Sequence, residues 1–340
     1  FAGLKDKHAI TRQAITVEHA DPKKVDTFDD EYIRILMADW HGNKIKRGHL
    51  RANRFVIKVR QVDPTAVLHA KPILDQLIEH GAPNFLGEQR FGYRFQNHEL
   101  GRLLLLGDYQ GFVDMMLGQP REDDRELLRE ARAAYDDGDY RTALSLWPTV
   151  HRFERQAVGP LSRGASPEDA VKAIDQTQRH LLVSACQSAI FNCVLNRRLL
   201  EGQYTLLDGD LAFKHDSRAI FHVRDIEAEL PRYHRQEISP SGPMWGRKMQ
   251  RPTGPALQWE NEALAEAGLT DEQFTQGRYT PDGSRRSLRM PVTDASVSSG
   301  VDEHGSFVKV SFELPRGCFA TTVMREIMKD GSDADEYEGD

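Results

Sequence analysis

Phe1-Ala2-Gly3-Leu4-Lys5-Asp6-Lys7-His8-Ala9-Ile10-Thr11-Arg12-Gln13 opens the chain and places one carboxylate, Asp6, between two lysines. A short apolar run leads into it, with Gly3 loosening the backbone. Behind it, Ala9-Ile10-Thr11 and Ala14-Ile15-Thr16-Val17 carry the β-branched side chains that predict strand. The ammonium groups of Lys5 and Lys7 favour the ionised form of Asp6. Taken alone, Lys-Asp-Lys reads as an exposed turn whose ion pairs contribute little to stability.

Working outward, residues 1–62 are predicted to be β-rich. Residues 33–37 and 55–59 are strand candidates, the second alternating with basic side chains. Residues 64–80 read as a helix with Val67, Ile73, Leu74, Leu77 and Ile78 on one face. Pro83 and Gly87 then mark a loop. From about residue 96 to 234 the pattern is mostly helical. Its strongest helix covers residues 180–200, with Leu181, Ala185, Ala189, Phe191, Val194 and Leu195 on its apolar surface and neither Pro nor Gly inside. Asp137-Gly138-Asp139-Tyr140 marks the turn of a local helix pair. Residues 236–256, with Pro240, Gly242, Pro243, Gly246, Pro252, Gly254 and Pro255, read as an ordered irregular loop. Residues 259–267 are again helical, 308–314 alternate as a strand, 321–328 form a closing helix, and the acidic end beyond residue 330 frays.

At 340 residues the chain is too long for one small core, and two domains are expected. Its 39% hydrophobic and 29% charged residues are ordinary for a soluble globular protein. No apolar run approaches bilayer-spanning length, and no signal peptide opens the chain. Cys186, Cys193 and Cys318 lack C-x-x-C spacing, which points to a reducing cytoplasm and to no metal site. No phosphate-binding loop, dinucleotide fingerprint or zinc-ligand spacing appears. The net charge of −7 disfavours a polyanionic partner. Its distribution does the opposite: residues 41–60 hold Lys44, Lys46, Arg47, Arg51, Arg54, Lys58 and Arg60 and no acid. RNA affinity depends on such a local basic face rather than on the chain total.

Gly3-Leu4-Lys5-Asp6-Lys7-x-Ala9-x-Thr11-x-Gln13 resembles the catalytic-loop signature of the TruD family of tRNA pseudouridine synthases. Four further stretches match in order. They are His41-x-x-Lys44 through Gly48-x-Leu50-x-x-Asn53-Arg54-Phe55; Pro83-Asn84-Phe85-Leu86-Gly87-Glu88-Gln89-Arg90-Phe91-Gly92; Ser184-Ala185-x-Gln187-Ser188-x-x-Phe191-Asn192; and Leu314-Pro315-x-Gly317-x-Phe319-Ala320-Thr321 with Arg325-Glu326. The matches span nearly the whole chain.

This resemblance implies an α+β fold: a pseudouridine-synthase-like mixed β-sheet catalytic domain, residues 1–110 and 290–340, interrupted by a largely helical insertion domain, residues 111–289. It also implies a preceding segment that supplies part of the sheet and a basic partner for Asp6. The activity implied is isomerisation of a tRNA uridine, position 13 in the D arm, to pseudouridine by a monomeric cytoplasmic enzyme that uses neither cofactor nor metal. The reaction breaks an N-glycosidic bond, turns the base and forms a C–C bond to the same sugar carbon. It needs one carboxylate near the ribose, whereas glycosidases use two. The resemblance assigns that role to Asp6, either attacking C1′ or abstracting the C2′ proton.

The substrate-binding candidates are Lys5, Lys7, Asn84, Leu86, Arg90, Gln187, Arg285 and Arg286. Leu86 stands where the family has a Phe against the target base. It offers an apolar contact without the π-face, and base stacking is worth ~1–3 kcal/mol. Phe85 is the nearest aromatic substitute, and Leu86→Phe is expected to leave activity equal or higher. Arg90 either reaches a phosphate or pairs with Glu88. Gln187 and Ser188 either contact RNA or another domain, or lie on an exposed stripe. The competing functional readings are a non-catalytic RNA-binding protein on the same scaffold and, more distantly, a carboxylate-dependent nucleoside hydrolase.

Overall fold

In the computed structural model, residues 1–6, 8–21, 24–25, 27–329 are described. The fold is built on β1 (Ala52–Arg60), whose side chains alternate: Phe55, Ile57 and Val59 turn inward while Arg54, Val56 and Lys58 face outward. After β1 the chain turns at Pro64–Ala66, where Asp63 accepts from the Thr65 amide, and enters α1 (Val67–His80). A short strand, β2 (Ala82–Pro83), follows.

Seven helices come next: α2 (Asn97–Leu106), α3 (Tyr109–Leu117), α4 (Glu126–Asp136), α5 (Tyr140–Leu146), α6 (Arg152–Leu161), α7 (Pro167–Ala173) and α8 (Gln176–Leu200). The turn at Asp137–Asp139 joins α4 to α5 as expected, with Asp139 capping the Thr142 amide at 3.0 Å. A second sheet and its helices follow: β3 (Leu211–Lys214), β4 (Ile220–His222), α9 (Ile226–His234), β5 (Ile238–Met244), α10 (Gly254–Glu266), α11 (Asp271–Thr275) and β6 (Ser284–Ser287). The chain closes with β7 (Arg289–Met290), β8 (Thr293–Asp302), β9 (Gly305–Pro315) and α12 (Ala320–Met328).

The first sheet has the order β1-β9-β8, so the closing strands return to the strand that starts the fold. Phe55 lies opposite Phe312 and Ile57 opposite Val310. These residues, Val308 and Leu314 pack against Leu74 and Leu77 of α1 and Val323 and Ile327 of α12. Every described ladder is antiparallel, where the resemblance implied a mixed sheet. A second, larger interior is helical. It runs from Leu100 and Phe112 through Trp147 and Val194 to Trp245 and Phe274.

Two expectations fail. The strands expected at residues 9–11, 14–17 and 33–37 are absent: no described residue of 1–51 joins a ladder. β-Branched side chains favour an extended backbone, but a strand exists only against a partner. Ile10, Ile15, Val17, Ile33, Leu36 and Met37 are exposed instead. Conversely, the loop expected over residues 236–256 contains β5, a central strand of the order β4-β3-β5-β6. Its glycine and prolines suggested irregular chain, yet Gly242 is there because the strand crosses α8 closely. A Cβ at Gly242 would stand 2.8 Å from both Phe191 and Leu288. α8 itself is longer than expected at its N-terminus, and Leu181 is exposed rather than part of its apolar face.

The junction between β3 and β5 holds a titratable group. His215 Nε2 lies 2.8 Å from Ser239 Oγ. Burial, and then the charge of Arg289, lower its imidazole from 6.5 to about 4. The unfolded chain therefore takes up this proton near pH 6.5 and the folded one only near pH 4. The associated stability is complete above 6.5 and is lost progressively as pH falls towards 4. In urea titrations across that window, the native midpoint should fall more steeply than that of His215→Gln. Parallel profiles would contradict it.

Candidate active site

The loop at residues 84–92 is held from three sides. The Asn84 amide donates to Leu288 O at 2.9 Å, and its side-chain Nδ2 donates to Ser287 O at 2.8 Å. Arg286 Nη2 donates to Asn84 Oδ1 at 2.5 Å and to Gly317 O at 3.1 Å. One guanidinium thus bridges the second sheet, the loop and the turn that leads into α12. Asn192 of α8 grips the backbone of Leu86 twice, accepting from its N–H and donating to its carbonyl, both at 2.9 Å. Arg90 donates to Ser184 Oγ at 2.7 Å and to Ser188 Oγ at 3.3 Å. Its immediate partners are therefore helix hydroxyls.

Asp6 is exposed, and its neighbour Lys5 ties this loop to the start of β1. Lys5 Nζ donates to Asn53 Oδ1 at 2.6 Å, and the Gly48 amide donates to Ala2 O at 2.7 Å. Arg316 Nη1 in turn donates to Gly48 O at 2.5 Å. Asn53 pairs with Leu314 across the sheet, so the Asp6 loop rests on the same end of β9 that runs into Gly317. A hydrogen-bonded path therefore runs from Asn84 through Arg286 to Gly317, and from the adjacent Arg316 through Gly48 to Ala2.

Several candidates occupy places other than those expected. Leu86 is 6% exposed and packs with Phe191, Leu195 and Leu288, so it shows no open face to a base. Phe85 is half-buried, with the Arg325 guanidinium 5.0 Å over its ring, and is the aromatic side chain that the loop leaves partly accessible. Arg285 points inward; its side chain and that of Glu260 are each 2% exposed and paired at 2.6 Å. It holds β5 and β6 together and is not placed to meet RNA. Gln187 is buried too, donating to Trp245 O at 2.5 Å, and Ser188 is buried beside it. The exposed-stripe alternative for that pair is overturned: Gln187 reaches within the helical interior, and Ser188 accepts from Arg90 of the 84–92 loop. Lys7 lies outside the described residues.

The basic stretch is partly neutralised within the protein. Lys44 pairs with Glu18 at 2.7 Å, and Asp302 takes both Lys58 and Arg60, at 2.8 and 2.7 Å. Those two cations, through hydrogen bonds above all, hold the Asp302 carboxyl far below the usual range. Asn192 and Arg325 sit in matched motifs yet carry no spacing that reveals what they hold; only the folded loop does.

The packing of Leu86 fixes an expectation. Leu86→Ala should lower stability by about 2–5 kcal/mol through the cavity it leaves. Leu86→Phe should cost about 1–3 kcal/mol through overpacking. Urea denaturation of both variants checks this, and an unchanged midpoint for Leu86→Phe would show that the loop has room for the larger ring.

A crystal structure from Methanosarcina mazei, designated tRNA pseudouridine synthase D (TruD), superposes with a TM-score of 0.81 at 25% identity, over 91% of this chain and 76% of that one. The fold is thus the α+β fold of a pseudouridine synthase. The family model described as tRNA pseudouridine synthase D (TruD) matches residues 1–327. The protein named tRNA pseudouridine synthase D in Geobacter sulfurreducens is 41% identical over 97% of this chain and 80% of its own length. The one of the same name in Geobacter metallireducens is 40% identical over 97% and 81%. The chain belongs to the TruD family of tRNA pseudouridine synthases.

Proposed function

We infer that this protein isomerises one uridine of tRNA, position 13 by family expectation, to pseudouridine, with Asp6 as the catalytic carboxylate. The observation that carries the reading is the placement of the Asp6 loop. It rests on Asn53 and Gly48 and connects through Arg316 and Gly317 to the Arg286–Asn84 bridge. In this reading Asp6 acts at the ribose, by addition to C1′ or removal of the C2′ proton. The N1–C1′ bond breaks, the uracil turns, and C5 bonds to C1′. The C5 proton leaves to solvent and N1 gains one, so no redox partner enters.

Asn84 fixes the loop, Phe85 and the apolar wall beneath it border the base, and Lys5 keeps the Asp6 loop against Asn53. Arg286 acts as a positioning residue, because its guanidinium is occupied by Asn84 and Gly317. The catalytic domain comprises the first sheet with α1 and α12. The insertion begins near α2, one element earlier than residue 111, because Leu100, Leu103 and Leu104 pack in the helical interior. Among the described residues no helix is long and apolar enough to cross a membrane. A monomer acting in the cytoplasm completes the reading.

The test is incubation of the full-length protein with unmodified tRNA transcript, followed by chemical mapping of pseudouridine. A single modified uridine supports the proposal. Binding without modification would favour the non-catalytic scaffold, and free uracil would favour a hydrolase.

A further inference from the structure

The start of α12 touches the 84–92 loop at successive points. Thr322 Oγ1 donates to Phe85 O at 3.5 Å, and a Cβ on Gly87 would stand 3.5 Å from Thr321 Oγ1. One turn further on, the Arg325 guanidinium lies 5.0 Å over the Phe85 ring. Residues three apart share a helix face, so Thr322 and Arg325 meet Phe85 together, one at its backbone and the other at its side chain. Phe85 also packs against the cluster of Leu86, Phe191, Leu195 and Leu288.

Arg325 is exposed, and its neighbour Glu326 reaches Lys329 at 3.9 Å. Among the described residues Arg325 pairs with no carboxylate; the ring is what holds it. A phenylalanine side chain in a loop would otherwise exchange among staggered rotamers. With the guanidinium over it and the apolar cluster beside it, this one is confined. Leu86 is buried, so Phe85 is the aromatic side chain that the loop leaves partly accessible. Its orientation therefore decides which surface a uracil meets as it turns. A ring placed beforehand spares the cost of ordering it in the reacting complex.

We propose that Arg325 is a positioning residue for the isomerisation and acts through Phe85: its guanidinium fixes the ring against which the target uracil turns. The proposal rests on the reading of Phe85 as a border of the base. An exposed arginine beside an RNA site could instead meet a phosphate, and the two roles leave different marks. A phosphate contact acts on binding and is felt whatever residue stands at position 85. A positioning contact acts on the chemical step and vanishes with the ring.

The experiment measures single-turnover rates with saturating full-length protein and unmodified tRNA transcript, beside affinity over a salt series and thermal unfolding. The variants are Arg325→Met, Arg325→Lys, Phe85→Leu and the double variant Arg325→Met/Phe85→Leu. Leucine keeps an apolar side chain in the loop and removes only the ring. Phe85→Leu should slow turnover about 5–100-fold, as for one lost base–aromatic contact. Arg325→Met should slow it about 2–5-fold, as for one exposed cation–π pair, with affinity, salt slope and unfolding temperature close to native. Arg325→Lys, which keeps a cation, should turn over faster than Arg325→Met. The double variant should be no slower than Phe85→Leu, because effects that pass through one contact do not add. Three results would overturn the inference alone: a native rate in Arg325→Met, a double variant slowed by the product of the two single effects, or weaker binding by Arg325→Met with a salt slope shallower by roughly 0.7–0.9. The last is the mark of a lost phosphate contact. Native turnover in Phe85→Leu, or no pseudouridine from the native protein, would remove the reading beneath it.

Discussion

Asp6→Asn should abolish pseudouridine formation, by more than about 10³-fold, while tRNA affinity stays within a few-fold. The amide keeps the volume of the side chain but can neither attack C1′ nor accept the C2′ proton. Binding is expected to survive because phosphate contacts position an RNA independently of the reacting group. Lys5 and Asn53, which hold the loop, are untouched by the change. Single-turnover assays with saturating enzyme, paired with direct binding measurements, separate the two effects. Substantial turnover in this variant would remove Asp6 from the chemistry.

The second large effect concerns stability. Arg285 donates to both oxygens of Glu260, at 2.8 and 2.6 Å, and to Ser241 Oγ at 3.1 Å, all within the interior. Burial pushes the Glu260 carboxyl up, and Arg285 is the chief group opposing that shift. Arg285→Ala strands this carboxylate, and loss of one partner from a buried pair costs about 3–5 kcal/mol. The double variant Arg285→Met/Glu260→Leu should recover much of the loss, because it removes both charges and their desolvation together. Urea titrations of the two variants decide the point. Equal midpoints for Arg285→Ala and the native protein would mean that the pair does not hold the second sheet.

What the sequence revealed and what it hid follow from where each signal is encoded. The alternation in residues 55–59 and 308–314 determined that these segments were strands, and the structure pairs them face to face. The absence of breakers in residues 180–200 likewise marked α8. Strand propensity in residues 9–17 and 33–37 misled, because it reports a local preference and a ladder is a property of two segments. The glycine and prolines of β5 misled in the opposite direction. They record how closely α8 passes, which is a tertiary fact.

At the candidate site, the sequence marked out Asp6, Asn84 and Arg286 as residues but not the connection between them. Adjacent arginines in one strand point to opposite faces, so Arg285 went to the core and Arg286 to the loop. Nothing in the pair itself said which was which. Leu86 shows the same limit, since a departure from a family pattern names a position without saying whether it faces ligand or core.

The most direct test of the central claim follows the proton that isomerisation must release. A tRNA transcript labelled with tritium at uridine C5 is incubated with the full-length protein, and label entering water is measured. The account predicts release from a single uridine per tRNA, no free uracil, and no release with Asp6→Asn. Release of uracil, or retention of the label by a protein that binds the transcript, would contradict it.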